Sequence, residues 1–246
     1  MAPSSPHHVR LTPETRWLDF GLRELFQYRE LLAMFTWRLI AVQYKQSLIG
    51  IGWAIINPLV TTIVFSVIFG VLASIPSDGQ PYPLFVLSGL ALWQYFARSI
   101  GTGSNSLVAN AGIVTKVYFP RVILPLSGVL AGLVDLTVTF LLLFALMLYY
   151  GIVPSGHIVT LPLFVLLTIF LATGVSLWLS ALNALYRDVG FVVPFMIQIW
   201  MYMTPIIYPA HLVPEAWRWL FYFNPMAAVI EGARWSIVGG TPPTLT

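Results

Sequence analysis

Arg98 and Asp135 are the residues whose chemistry stands out, because each is a charge inside an otherwise apolar run. A carboxylate at membrane depth is a functional candidate by default, and an arginine there costs about 2.5–3.5 kcal/mol on insertion scales unless it snorkels. Asp135 is the only acid deep in such a run. A proton relay needs a chain of such groups. The simpler expectation for Asp135 is one hydrogen bond between packed helices, with the carboxyl protonated. No catalytic constellation accompanies either charge. There is no phosphate-binding glycine loop with lysine, no paired His-Glu metal motif and no serine elbow. Cysteine is absent and the four histidines are scattered, which leaves no disulfide framework and no metal-ligand spacing. The chain therefore carries no recognisable ATP site. Transport through it needs either an ion gradient or a separate motor.

A second stretch is basic. Asn105 to Arg121 holds Lys116 and Arg121 and no acid. Its middle, Val108 to Val117, has the makings of one short helix, and Pro120 breaks it, having no N–H to donate and restricting the residue before it. Read alone, it is either a cytoplasmic helix that touches a partner or a solvated loop between membrane helices. A third cluster is aromatic: Trp200, Tyr202, Tyr208, Trp217, Trp219, Phe221, Tyr222, Phe223 and Trp235 crowd the C-terminal part. Such rings form interfacial belts. They also offer flat faces with a polar edge, suited to loose contact with sugar rings.

The elements that must position these residues are helices in a membrane. Of 246 residues, 58% are hydrophobic and 9% charged, where a soluble domain is about a quarter charged. Several runs approach the roughly 20 residues that a transmembrane helix needs. The net charge of +3 sits where membrane topology would put it and gives no sign of nucleic-acid binding. The expected fold is all-α and polytopic. Residues 1–46 form a polar tail and an amphipathic helix with Leu18, Leu22, Leu25, Tyr28, Leu32, Phe35, Leu39 and Val42 on one stripe. That helix lies in the interface or packs on soluble protein. The transmembrane region, 47–208, holds five spans at about 47–74, 82–103, 122–152, 158–185 and 189–208. The second is the weakest, and Gly101, Gly103 and Ser104 read as a place where it thins or breaks. Residues 209–246 form short helices on the outer side, the last opened by Asn224-Pro225 as cap and first-turn proline. Six of twelve cations precede Ser47, and Lys116, Arg121 and Arg187 fall in loops of the same side, so the N-terminus is expected inside.

Three stretches carry a resemblance. They are Asn110-Ala111 through Lys116-Val117-Tyr118-Phe119-Pro120-Arg121 into Leu124-Pro125-Leu126; Tyr186-Arg187-Asp188-Val189 with Pro194, Gln198 and Thr204-Pro205-Ile206-Ile207-Tyr208; and Asn224-Pro225-Met226 with Glu231-Gly232 and Arg234-Trp235. In order and spacing, over about residues 17–240, the chain resembles the membrane subunits of type-2 ABC exporters for polysaccharides and polyol phosphates. These are the permeases for O-antigen, capsule and teichoic acid.

The resemblance implies a homodimer paired with two cytoplasmic ATPase subunits, which would hold ATP and magnesium, and a lipid-linked polysaccharide as cargo in a bacterial cytoplasmic (inner) membrane. It makes 108–117 a coupling helix, with Val108, Ile113, Val114, Thr115, Lys116, Val117, Tyr118, Phe119 and Arg121 toward the ATPase. Arg187 and Asp188 form another cytoplasmic loop. Spans one and five would line a channel, with Trp53, Asn57, Gln198, Trp200, Tyr202 and Tyr208 as lining candidates. Trp217, Trp219, Tyr222, Glu231, Arg234 and Trp235 would belong to a re-entrant outer hairpin. The family has a sixth span after that hairpin and this chain ends before it, so an incomplete sequence is expected. A type-2 permease for a small molecule or drug, and a gradient-driven carrier, are the alternative functions.

Overall fold

The computed structural model describes residues 22–45, 50 and 52–239, and its regular elements are all helices, with no strand among the described residues. Two N-terminal helices, α1 (Leu22–Gln27) and α2 (Arg29–Lys45), join at Tyr28. Then come α3 (Gly52–Phe65), α4 (Tyr82–Ala109), the one-turn α5 (Ala111–Val114), α6 (Ile123–Tyr149), α7 (Leu161–Leu185), α8 (Val189–Tyr202), α9 (Glu215–Phe223) and α10 (Pro225–Val238). The start of the amphipathic stretch and the entry to the first span at Ser47 lie outside the described residues.

Among the described residues, three helical stretches are long and apolar enough to cross a membrane: Gly52–Leu72, Ile123–Tyr149 and Gly156–Leu185. The first of these continues α3 through a wider π-helical segment, Ser66–Leu72, closed by a bond from Ala73 N–H to the Ile68 carbonyl. The third adds a 3₁₀ turn, capped by Ser155, in front of α7.

The helix read as weakest is the centre of the molecule. α4 packs against α3, α6, α7, α8 and α10, and its Leu84, Phe85, Leu87, Leu90, Leu92, Phe96 and Ile100 are buried. A helix enclosed by protein needs less hydropathy than one that faces lipid. At 28 residues it is about 42 Å long, more than the roughly 30 Å hydrocarbon core. The expected thinning at Gly101, Gly103 and Ser104 does not occur, and α4 runs unbroken to Ala109. Gly103 is used for close approach. A Cβ built there would lie 2.6 Å from Ser176 on α7, and one on Gly128 of α6 would lie 3.1 Å from Thr102. Bonds from Ser176 Oγ to the Ser99 carbonyl (3.1 Å) and from Asn183 Nδ2 to the Ser104 carbonyl (3.0 Å) sit beside that contact. Small residues and interhelical hydrogen bonds hold helices together where lipid offers no hydrophobic drive.

Three other boundaries differ from expectation. Val108 lies inside α4, which ends at Ala109, so the 108–117 segment is no single helix. The chain turns at Asn110, and α5 is prolonged by bonds from Thr115 N–H to the Ala111 carbonyl and from Lys116 and Val117 N–H to the Ile113 carbonyl. α8 stops at Tyr202, because Thr204-Pro205 follows and proline cannot continue the ladder. Its 14 residues span about 21 Å. The amphipathic stripe holds at Phe35, which is buried, and fails at Val42, which is exposed while Gln43 and Tyr44 turn inward.

Gly101 and Gly103 provide an internal test of this packing. Gly101 faces open space, so Gly101→Ala should leave thermal stability in detergent unchanged or raise it by up to about 1 kcal/mol through helix propensity. Gly103→Ala should lower it by about 1–3 kcal/mol through overpacking on Ser176.

Candidate functional site

Three groups of polar and aromatic residues are fixed on this bundle, one at each end and one within it. At the loop end, Phe119 anchors the Asn110–Arg121 segment. Its ring is buried 5.9 Å from Phe35 of α2, in a small core with Ile123 and Leu124. Val114 is half-buried against that core. Anchoring these two turns the rest outward. Ile113, Thr115, Lys116, Val117, Tyr118 and Arg121 are exposed, and Val117 and Tyr118 are bare apolar surface. Arg187 and Asp188, between α7 and α8, are exposed and make no ion pair among the described residues. The segment is thus an anchored knob that presents apolar and basic side chains outward.

Within the bundle, Arg98 and Asp135 meet. Arg98 Nη1 lies 2.7 Å from Asp135 Oδ2. Gln43 Nε2 donates to Asp135 Oδ1 at 3.2 Å, and the Tyr44 hydroxyl donates to the same oxygen. The single packing hydrogen bond expected of a protonated Asp135 is thus replaced by an ion pair with two further donors. The reason is register. Arg98 stands eleven residues before Ala109 on α4, and Asp135 twelve after Ile123 on α6. On antiparallel neighbours both lie about 17 Å from the intervening loop. Each charge removes the penalty of the other. That equality of depth was present in the sequence and was the signal to use. Gln43 and Tyr44 carried no such mark, since a helix stripe scored on apolar residues passes over them.

At the end that carries α9 and the start of α10, Asn224 is the hub. Its Oδ1 accepts from Trp200 Nε1 (2.8 Å) and from Met226 N–H (3.1 Å), the latter capping α10 as its position predicts. Its Nδ2 donates to the Met203 carbonyl (3.1 Å) and Thr204 Oγ1 (2.9 Å). Arg234 of α10 donates from Nη2 to the Pro205 and Ile206 carbonyls (3.1 and 3.3 Å) and lies over the Phe85 ring at 3.7 Å. Tyr82 O–H donates to the Ile207 carbonyl at 2.6 Å. So the non-helical turn after α8, with its freed carbonyls, is held by α4 and α10. Trp235 lies against the His157 ring at a 32° tilt with centroids 4.3 Å apart, and Glu231 is half-buried. Trp217 and Trp219 of α9 are exposed. The side chain of Tyr222 lies outside the described residues.

The lining candidates divide. Trp53, Asn57, Gln198 and Tyr202 are exposed on α3 and α8. Tyr208 is half-buried, its hydroxyl on the Tyr202 carbonyl at 2.9 Å. Trp200 is turned into the core, edge-on to Phe96 at 5.0 Å.

The sequence that builds this fold belongs to a known class. The ABC-2 type transporter family model matches residues 30–238, and the chain belongs to that family. It is a transport component and not an enzyme. It is 32% identical to the O-antigen export system permease protein RfbA of Klebsiella pneumoniae over 225 residues, covering 91% of this chain and 85% of that one. The Myxococcus xanthus protein of the same name is 30% identical, covering 85% and 80%. The polysialic acid transport protein KpsM of Escherichia coli is 22% identical, covering 82% and 79%.

Two stability experiments follow from this geometry. Asp135→Ala strands Arg98 and should cost about 2–3 kcal/mol in detergent unfolding. That is less than the roughly 3–5 for a fully buried pair, since the Arg98 side chain is 42% exposed. Adding Arg98→Leu should recover most of the loss. Trp200→Ala should cost about 3 kcal/mol or more and reduce assembly and transport together, whereas Tyr202→Ala should stay within about 0.5 kcal/mol.

Proposed function

We propose that the chain is the channel-forming permease of an ATP-driven exporter that moves a lipid-linked polysaccharide across the bacterial cytoplasmic membrane. The observation that carries the reading is the named role of the relatives, which export O-antigen or transport polysialic acid and match over most of both chains. In this reading five segments cross the membrane. They are Gly52–Leu72, α4, α6, α7 and α8 with its following turn, while α9 and α10 form a hairpin on the outer side. The N-terminus is cytoplasmic, in keeping with Lys116, Arg121 and Arg187 on one side.

Two copies form the channel. Asn57 and Gln198 favour this, because both amides are exposed on membrane segments of a single protomer. An amide left facing hydrocarbon is costly, so the face bearing Trp53 and Asn57 on α3 and Gln198 on α8 meets water or a second protomer. The motor is a separate ATPase, one copy beneath each permease, with ATP and magnesium bound there. Its closure pushes on the knob of Ile113, Lys116, Val117 and Tyr118. Because Phe119 packs on Phe35, the push passes into α2, and through Tyr44 and Gln43 to the ion pair on α4 and α6. Motor binding drives transport only if this contact differs between the two states.

Lys116→Glu tests the knob. It should reduce both surface polymer and co-purification of the ATPase by about tenfold or more, while the protein inserts in normal amount. Normal export with this change would remove the segment from the coupling path.

A further inference from the structure

Beside the ion pair lies a cavity of about 680 Å³, bounded by the end of α2 and by α3, α4 and α6, and reaching Met201 of α8. Its size falls within the roughly 300–1,000 Å³ of ligand clefts. Its walls include Trp53, Asn57 and Gln94 beside Arg98, Asp135 and Tyr44. Three features fix the chemistry it can take. The amides of Asn57 and Gln94 have no side-chain hydrogen-bond partner among the described residues, and Arg98 spends only Nη1 on Asp135. Asp135 is saturated by Arg98, Gln43 and Tyr44, so it has little capacity left for a cation. Among the described residues of the wall, the one positive charge is balanced by the one negative charge, so none of them favours a phosphate. What remains is a neutral space with amide donors and acceptors, a free guanidinium edge and an indole side chain.

We propose that this cavity is a subsite for an uncharged, hydroxyl-rich sugar ring of the transported chain. Trp53 supplies the stacking surface, and Asn57, Gln94 and the free edge of Arg98 bind hydroxyls. The inference rests on the polysaccharide reading above and adds to it a place and a charge type. The ring sits against the same ion pair that α2 clamps. A ring entering or leaving the cavity therefore bears on the contact between the N-terminal helix and the bundle.

The test uses the permease with its ATPase in lipid nanodiscs. The probe is a radiolabelled oligosaccharide of the exported polymer, freed from its lipid diphosphate by mild acid. Saturable binding is expected, weakened about three- to tenfold by Asn57→Ala and by Gln94→Ala, the loss of one net hydrogen bond each. Inorganic diphosphate at millimolar concentration should not displace it. No saturable binding, an affinity unchanged from that of the unmutated protein in both variants, or displacement by diphosphate would overturn the subsite. Asn57 is exposed, so its variant keeps the test decisive if Gln94→Ala fails to assemble. ATP turnover stimulated by the intact lipid-linked polymer is measured on the same sample. Stimulation without fragment binding sinks the subsite alone, and loss of both sinks the exporter reading with it.

Discussion

The structure depends on one electrostatic contact, the pair between Arg98 and Asp135. Each charge alone is costly on such a helix, and together they favour one register of α4 and α6. The helical hairpin they join is the frame on which the other elements are hung. α7 closes on α4 through Gly103 and Ser176, and α2 closes on α6 through Gln43 and Tyr44 at one end and Phe35 at the other. A change in the pair would be felt at the loop that α2 helps to seat.

The turn after α8 solves a different problem by the same means. Pro205 ends α8 early and leaves carbonyls without helical partners. Within a membrane bundle such groups must be paired. Arg234, Tyr82 and Asn224 pair them, and in doing so pin α10 across α4 and close to the end of α8. An irregular turn held at fixed geometry by side chains from two helices is a place where a path can be shaped without loss of stability.

The helical class, the apolar runs and the capped start of α10 at Asn224 were legible in the sequence, because hydropathy and cap chemistry are local. α4 was misjudged for a physical reason. Hydropathy measures fitness for lipid, and α4 is surrounded by protein, so its serines and glycines mark contact rather than weakness. The interior role of Trp200 was hidden, since an aromatic at a membrane edge looks the same whether it faces a channel or caps an asparagine. The ion pair was half legible. Both charges were visible and unexplained until their equal distance from one loop joined them. Gln43 and Tyr44 lay beyond reach, because only the tertiary approach of α2 to α6 gives them a partner.

The measurement that bears most directly on the account is the composition of the complex. The chain is purified from its native membranes in mild detergent and its stoichiometric partners are identified. The account predicts one separate ATPase per permease, with two permeases in each particle. A homo-oligomer that carries no ATPase, remains folded and still transports its cargo after ATP depletion would contradict it.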